Sequence, residues 1–185
     1  MSKETDRGGK RQTESPRIES MHSGATLSRD LPDWVRLAIA DAIMLFGRLE
    51  QEVIEISWLI KGAEQKVERL KVARNPATDN FSDIVALVEQ AAGQELKALR
   101  STFDDLAKDR NLIVHGAWWF VDDRRPWVVW HKFIEDNESV MGEFYENGRF
   151  ADFMMKARHL YEMCRKFHDE IEKVRGVKTS ALHRS

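Results

Sequence analysis

Val35, Ile39, Ala42, Phe46, Leu49, Val53, Ile56 and Ile60 recur at alternating spacings of four and three residues. That period places all of them on one side of a single helix, because 3.6 residues complete a turn. No strand keeps such a set on one face. Pro32 suits the first turn and Gly62 the C-terminal cap, so the spacing predicts a helix over 32–61, about 45 Å long. Leu45 and Leu59 widen the apolar face, which therefore needs more than one packing neighbour. Gly47 in its middle costs about 1 kcal/mol unless another element approaches closely there.

The rest of the chain must supply those neighbours. A shorter helix is expected over 63–74, ended by Asn75-Pro76. Asp79, Asn80 and Ser82 are candidate caps for a third helix, with Ile84, Val85, Leu87 and Val88 inward and Gly93 at its end. A fourth helix carries the stripe Leu96, Leu99, Phe103, Leu106, Arg110 and Ile113, and Gly116 is placed for a left-handed cap. Residues 117–121 and 127–133 are aromatic and β-branched on either side of Asp122-Asp123-Arg124-Arg125-Pro126, the pattern of a hairpin. A mixed loop then leads to a last helix over 149–175, with Phe150, Phe153, Ala157, Leu160, Cys164, Phe167, Ile171 and Val174 on one face. The expected fold is mainly all-α, an antiparallel bundle of about five helices with a small β-hairpin before the last helix. The domain spans 29–176. Residues 1–28 and 177–185 are too polar to bury enough surface to offset their ordering entropy and are expected to be disordered tails.

Composition excludes some functions. Lys+Arg number 29 and Asp+Glu 31, a net charge of -2, which argues against a protein that coats nucleic acid through bulk positive charge. Cys164 is the one cysteine, so no intrachain disulfide or cysteine-based zinc motif can form. No apolar run reaches the ~18 residues of a membrane span, and residues 1–30 lack the apolar core of a signal peptide. A cytoplasmic protein without a cofactor is expected.

The polar residues that stand out are in Asp109-Arg110-Asn111-Leu112-Ile113-Val114-His115-Gly116. Arg110 takes a position where the helix stripe calls for an apolar side chain, and a charge there needs a partner or a polar cleft. Asn111 and His115 are four apart and share a helix face. His115 falls at the helix C-terminus, where the dipole favours a cation, and an imidazole titrates near neutral pH. Spacing alone decides nothing, since Arg17 and His22 repeat it in the N-terminal tail. Two readings stay open. Either Arg110 pairs with Asp104, Asp105 or Glu52 while His115 caps carbonyls, or these side chains do chemistry.

Arg110-Asn111-Leu112-Ile113-Val114-His115 resembles the R-N-x-x-x-H signature of the HEPN superfamily, small helical-bundle domains with the signature near the end of a late helix. The likeness covers about 30–175 in helix order, and only these six residues are specific. It implies a metal-independent endoribonuclease acting as a homodimer, in which the motifs of two copies face each other. Many such domains are toxins of toxin–antitoxin modules or antiviral-defence effectors; others bind without cleaving. The implied roles suit the chemistry. Attack of the RNA 2′-hydroxyl on its own phosphate needs a proton carrier, His115, and a fixed cation for the charged phosphorane, Arg110. Asn111 orients His115 or binds the phosphate. Where a toxin subgroup has a tyrosine two residues after the histidine, this chain has Ala117, so silencing by modification of that tyrosine is not expected here. The alternative from another class is a non-catalytic helical dimer that binds nucleotide, RNA or a protein partner such as an antitoxin.

Trp118, Trp119, Trp127 and Trp130 follow the motif. Adjacent Trp118 and Trp119 must point to opposite faces of a strand, so one is expected in the core; the tryptophans either cover the bundle end and complete the core, the favoured reading, or leave an exposed ring to stack RNA bases. Arg124 and Arg125 sit at the hairpin tip, within reach of phosphates, but Asp122 and Asp123 beside them offset the charge and a solvated turn is the favoured reading. His131, His159 and His168 show no metal-ligand spacing, and no metal site is expected.

Overall fold

In the computed structural model, residues 26–92, 96–122, 124–134 and 137–175 are described. The expected tails at 1–25 and from 176 onward, the Arg17/His22 pair, Gly93 and Asp123 lie outside them. The fold is mainly helical with a small antiparallel sheet.

Helix α1 (Asp33–Lys61) forms as its stripe predicts: Val35, Ala42, Phe46, Leu49, Val53 and Ile56 are buried. Pro32 stands just before the helix, its carbonyl accepting from the Val35 and Arg36 amides. Gly62 closes the helix in the left-handed conformation, φ 63°, a backbone that side chains with a Cβ rarely adopt. No atom crowds a Cβ placed at Gly47, so close approach does not account for that glycine.

Helix α2 (Lys66–Arg74) starts three residues later than expected. Gln65 and Glu68 form a reciprocal capping box there and define the start. Helix α3 (Ala77–Ala92) begins directly after Pro76, so Asp79, Asn80 and Ser82 lie inside it and not at its cap. Asn80 is instead fully buried, donating from Nδ2 to the Val72 carbonyl of α2 at 3.1 Å. Leu87 is exposed, and Phe81 takes the inward role, stacked on Phe103 with ring centres 4.3 Å apart.

Helix α4 (Lys97–His115) packs Phe103, Leu106 and Ile113 into the core. Its end differs from expectation. Gly116 is extended, φ −72°, and not left-handed. The glycine is needed for space: a Cβ there would lie 2.2 Å from Val128 Cγ2 and 2.6 Å from the Leu112 carbonyl oxygen. The chain therefore passes from helix to sheet with no room for a side chain.

The sheet is larger than a hairpin. Strands β1 (Leu27–Ser28), β2 (Ala117–Val121), β3 (Arg125–Ile134) and β4 (Asn137–Phe144) pair antiparallel in that order. β1 lies within the segment assigned to the N-terminal tail, held as well by the Thr26 amide donating to Asp122 Oδ1 at 2.8 Å. β4 occupies the stretch expected as a loop. Gly142 in β4 leaves room for the Trp127 indole, which would come within 2.5 Å of a Cβ. Helix α5 (Asn147–Arg175) then lays Phe150, Phe153, Ala157, Leu160 and Cys164 against the core. Burial and the nearby Glu52 charge push the Cys164 thiol up to about 12, so it packs as a small apolar group.

Candidate functional site

The last two turns of α4 carry Arg110, Asn111 and His115, and the surroundings hold this helix end from three sides. The Gly116 amide donates to the Leu112 carbonyl at 2.9 Å. The Trp118 indole donates to the Ile113 carbonyl at 3.1 Å, satisfying another of the carbonyls a helix end leaves open. Asp109 accepts from Arg149 Nη2 of α5 at 2.6 Å, and Arg149 also pairs with Glu143 of β4 at 2.7 Å. Burial alone would lower the Arg149 guanidinium, but Asp109 and Glu143 outweigh it and hold it firmly protonated. Burial, reinforced by the Asp109 charge, pushes the Tyr145 phenol well above its ordinary range, so it stays neutral.

Arg110 leaves the apolar stripe sideways. Its guanidinium donates to Asn111 Oδ1 at 2.9 Å and to Glu50 of α1 at 3.1 Å, and it lies 5.9 Å from the centre of the Phe46 ring. Its side chain stays 32% exposed. The carboxylate partner is thus Glu50, not Asp104, Asp105 or Glu52. Asn111 and His115 are exposed. Five residues of helix separate Arg110 from His115, which places them about 140° apart around the axis. One copy of the chain therefore offers a cation backed by an amide on one side of the helix end, and an imidazole on another.

The aromatic and basic candidates divide. Trp118 is engaged in packing, stacked on Phe150 at 5.8 Å and edge-on to Tyr145 at 5.6 Å. Trp119 is on the other face, half-buried, with Arg29 4.8 Å above its ring. Arg124 is exposed in the β2–β3 turn, while Arg125 covers Phe144 at 4.0 Å. Trp127 is buried and Trp130 packs against the core. His159 is exposed on α5.

Sequence spacing missed a second polar cluster. His168 of α5 donates from Nδ1 to Glu52 of α1 at 2.5 Å, and its Nε2 lies 3.5 Å from Glu172. Ligand-type atoms of Glu52, Glu55 and His168 all lie within 4.8 Å of one another, so these three are the described residues able to share a metal ion. The two helices are 116 residues apart at this contact, which no local spacing reveals. The signal that was available is Glu52 itself: its position lies beside Val53 and Ile56 on the buried side of α1.

No family model, curated protein or solved structure matches this chain.

Proposed function

We propose that the chain is a metal-independent endoribonuclease of the HEPN type, cleaving RNA through 2′-hydroxyl attack at a site composed from two copies. The observation that carries this reading is the placement of Arg110. It holds a stripe position yet turns its guanidinium to the surface, aligned by Asn111, at the end of the helix that also presents His115. A guanidinium in this setting keeps donors for a phosphate, and its planar fork suits the spread charge of a phosphorane. His115 supplies the group that takes the 2′-hydroxyl proton or returns one to the leaving 5′-oxygen. The products are then a 2′,3′-cyclic phosphate and a 5′-hydroxyl. The separation of about 140° between the two side chains makes a second copy a requirement, because a two-fold axis beside α4 brings one copy's imidazole to the other's guanidinium. Trp119 and Arg124 are the candidates for contacts with the flanking RNA. The same resemblance supports a toxin or antiviral-defence role in the cytoplasm, with an antitoxin or defence protein as partner.

One observation favours the alternative, a non-catalytic helical dimer that binds nucleotide, RNA or protein. Glu50 already neutralises Arg110, and a phosphate has to displace it or share the guanidinium. The two readings separate in one experiment. Purified protein is incubated with mixed RNA in EDTA beside His115→Ala and Arg110→Ala, while sedimentation reports the oligomeric state. Cleavage by the dimer that both substitutions abolish supports the nuclease. Cleavage surviving both, or a stable dimer inert on every RNA, removes it in favour of the second reading.

A further inference from the structure

The contact of α1 and α5 around Glu52 carries an excess of negative charge. Glu52 and Glu55 are one turn apart on α1, and His168 and Glu172 are one turn apart on α5, so each pair presents both members to the facing helix. Three carboxylates converge on one imidazole. Among the described residues, no lysine or arginine forms an ion pair with any of the three; Arg165 acts on Glu52 only at longer range. Glu55 accepts a hydrogen bond from Gln51, which orients it without neutralising it.

The imidazole distinguishes this cluster from a solvated acidic patch. The His168 side chain is 13% exposed and that of Glu52 9%. A carboxylate only accepts, so the proton between them sits on Nδ1. Nε2 is buried and has no hydrogen-bond partner, although Glu172 lies 3.5 Å away. In the neutral tautomer its lone pair points at a carboxylate, a repulsion that is relieved when Nε2 carries a proton, either in the imidazolium or in a ring whose Nδ1 proton has been replaced by a metal ion. A histidine that gives one ring nitrogen to a metal while the other donates to a carboxylate is the arrangement that tunes metal-bound imidazoles, and here Nδ1 faces Glu52 while Nε2 faces Glu172.

We propose that His168 through Nδ1, Glu52 and Glu55 bind one divalent transition-metal ion, of the zinc or manganese class, that clamps α1 to α5, with Nε2–H then donating to Glu172. Nitrogen and carboxylate donors together suit such ions, whereas magnesium and calcium favour oxygen alone. Donors to one ion lie about 3.3 to 4.2 Å apart when each bond is about 2.1 Å. The donor atoms of Glu52, Glu55 and His168 all lie within 4.8 Å of one another, so small shifts of the flexible glutamate side chains reach that range, the 2.5 Å contact of Nδ1 with Glu52 opening as the ion takes the place of its proton. The site lies on the opposite flank of α1 from Glu50 and takes no part in the RNA chemistry, so it stands or falls independently of that reading.

The test uses the full chain, stripped with EDTA and dialysed, titrated calorimetrically with zinc alone and with manganese alone, with thermal unfolding in parallel. The expected result is one ion per chain and an unfolding temperature that climbs with metal concentration, since an ion held only by the folded state stabilises it by mass action. Zinc binds more tightly than manganese. Affinity falls at least tenfold in His168→Gln and in the Glu55→Gln/Glu172→Gln double variant, and is unchanged in His159→Ala. The double variant alters partly exposed side chains, so it reports even where His168→Gln destabilises the fold. Absence of binding by wild type at millimolar metal overturns the proposal. So does binding with unchanged affinity in the double variant, which assigns the metal to another place.

Discussion

Helix α1 holds two acid–base pairs only two residues apart, and they behave as opposites. Glu50 turns toward α4 and meets Arg110 with both side chains about a quarter to a third exposed. Glu52, rotated by about 200° on the same helix, turns toward α5 and meets His168 where little water reaches. An exposed pair gains modest Coulomb energy and exchanges its partner readily. A buried pair has lost its hydration and depends on the partner it has. The open flank is therefore the one suited to a transient guest such as a phosphate, and the closed flank to a permanent role in holding helices together.

The largest effect expected from this contrast is on the closed side. Glu52→Ala leaves His168 without its acceptor and costs about 3 kcal/mol of stability, read from urea unfolding; a loss below about 0.5 kcal/mol, as for a surface pair, would erase the distinction. Next comes the joint at the open end. Gly116→Ala drives a methyl against Val128 and the Leu112 carbonyl, and overpacking of this kind costs about 2 kcal/mol. An unchanged midpoint would show that the ion pair, not the sheet, fixes the end of α4.

A smaller effect appears in pH dependence. The hydrogen bond to Glu52 raises the His168 imidazole above its ordinary 6.5 against the opposing effect of burial, with Glu172 and Glu55 adding to the rise. A group raised on folding binds its proton more tightly in the native state. Its contribution is thus complete below 6.5 and is lost as pH climbs through the folded-state value. The unfolding midpoint is expected to fall over that alkaline-going window, and the slope should be much reduced in Glu52→Ala, which leaves only the smaller effects of Glu172 and Glu55. An unchanged slope there would assign it to other groups. The smallest stability change is expected from Glu50→Gln, about 0.5 kcal/mol or less. The same substitution frees Arg110 and should tighten RNA binding in a filter assay; weaker binding would mean that Glu50 aims the guanidinium and does not merely neutralise it.

The helices were legible because their stripes are long and regular. Val35, Ala42, Phe46, Leu49, Val53 and Ile56 in α1 and Phe150, Phe153, Ala157, Leu160 and Cys164 in α5 are buried in the expected register, with Ile39 half-buried beside them. β4 was not legible, since Asn137, Glu138, Ser139, Gly142 and Glu143 have low strand propensity and the strand exists through its pairing with β3. The cap at Asn80 was misread for a related reason: its side chain answers to α2, not to its own helix. Arg110 could be flagged from its place in the stripe, because an arginine among apolar residues needs an outlet. Its outlet, Glu50, follows only once α1 and α4 are packed. Glu52 with His168 needs the tertiary fold entirely.

The crowding at Gly116 has a consequence in time. A methyl-sized gap is missing between α4 and β3, so the backbone of His115 cannot swing without lifting the sheet. Side-chain rotation of an exposed ring takes picoseconds to nanoseconds, while parting packed elements takes microseconds or longer. The imidazole can therefore turn on its own clock at a fixed address. The Gly116 amide, bonded to Leu112, marks how often that address is given up, since its hydrogen exchanges with solvent only when the joint opens.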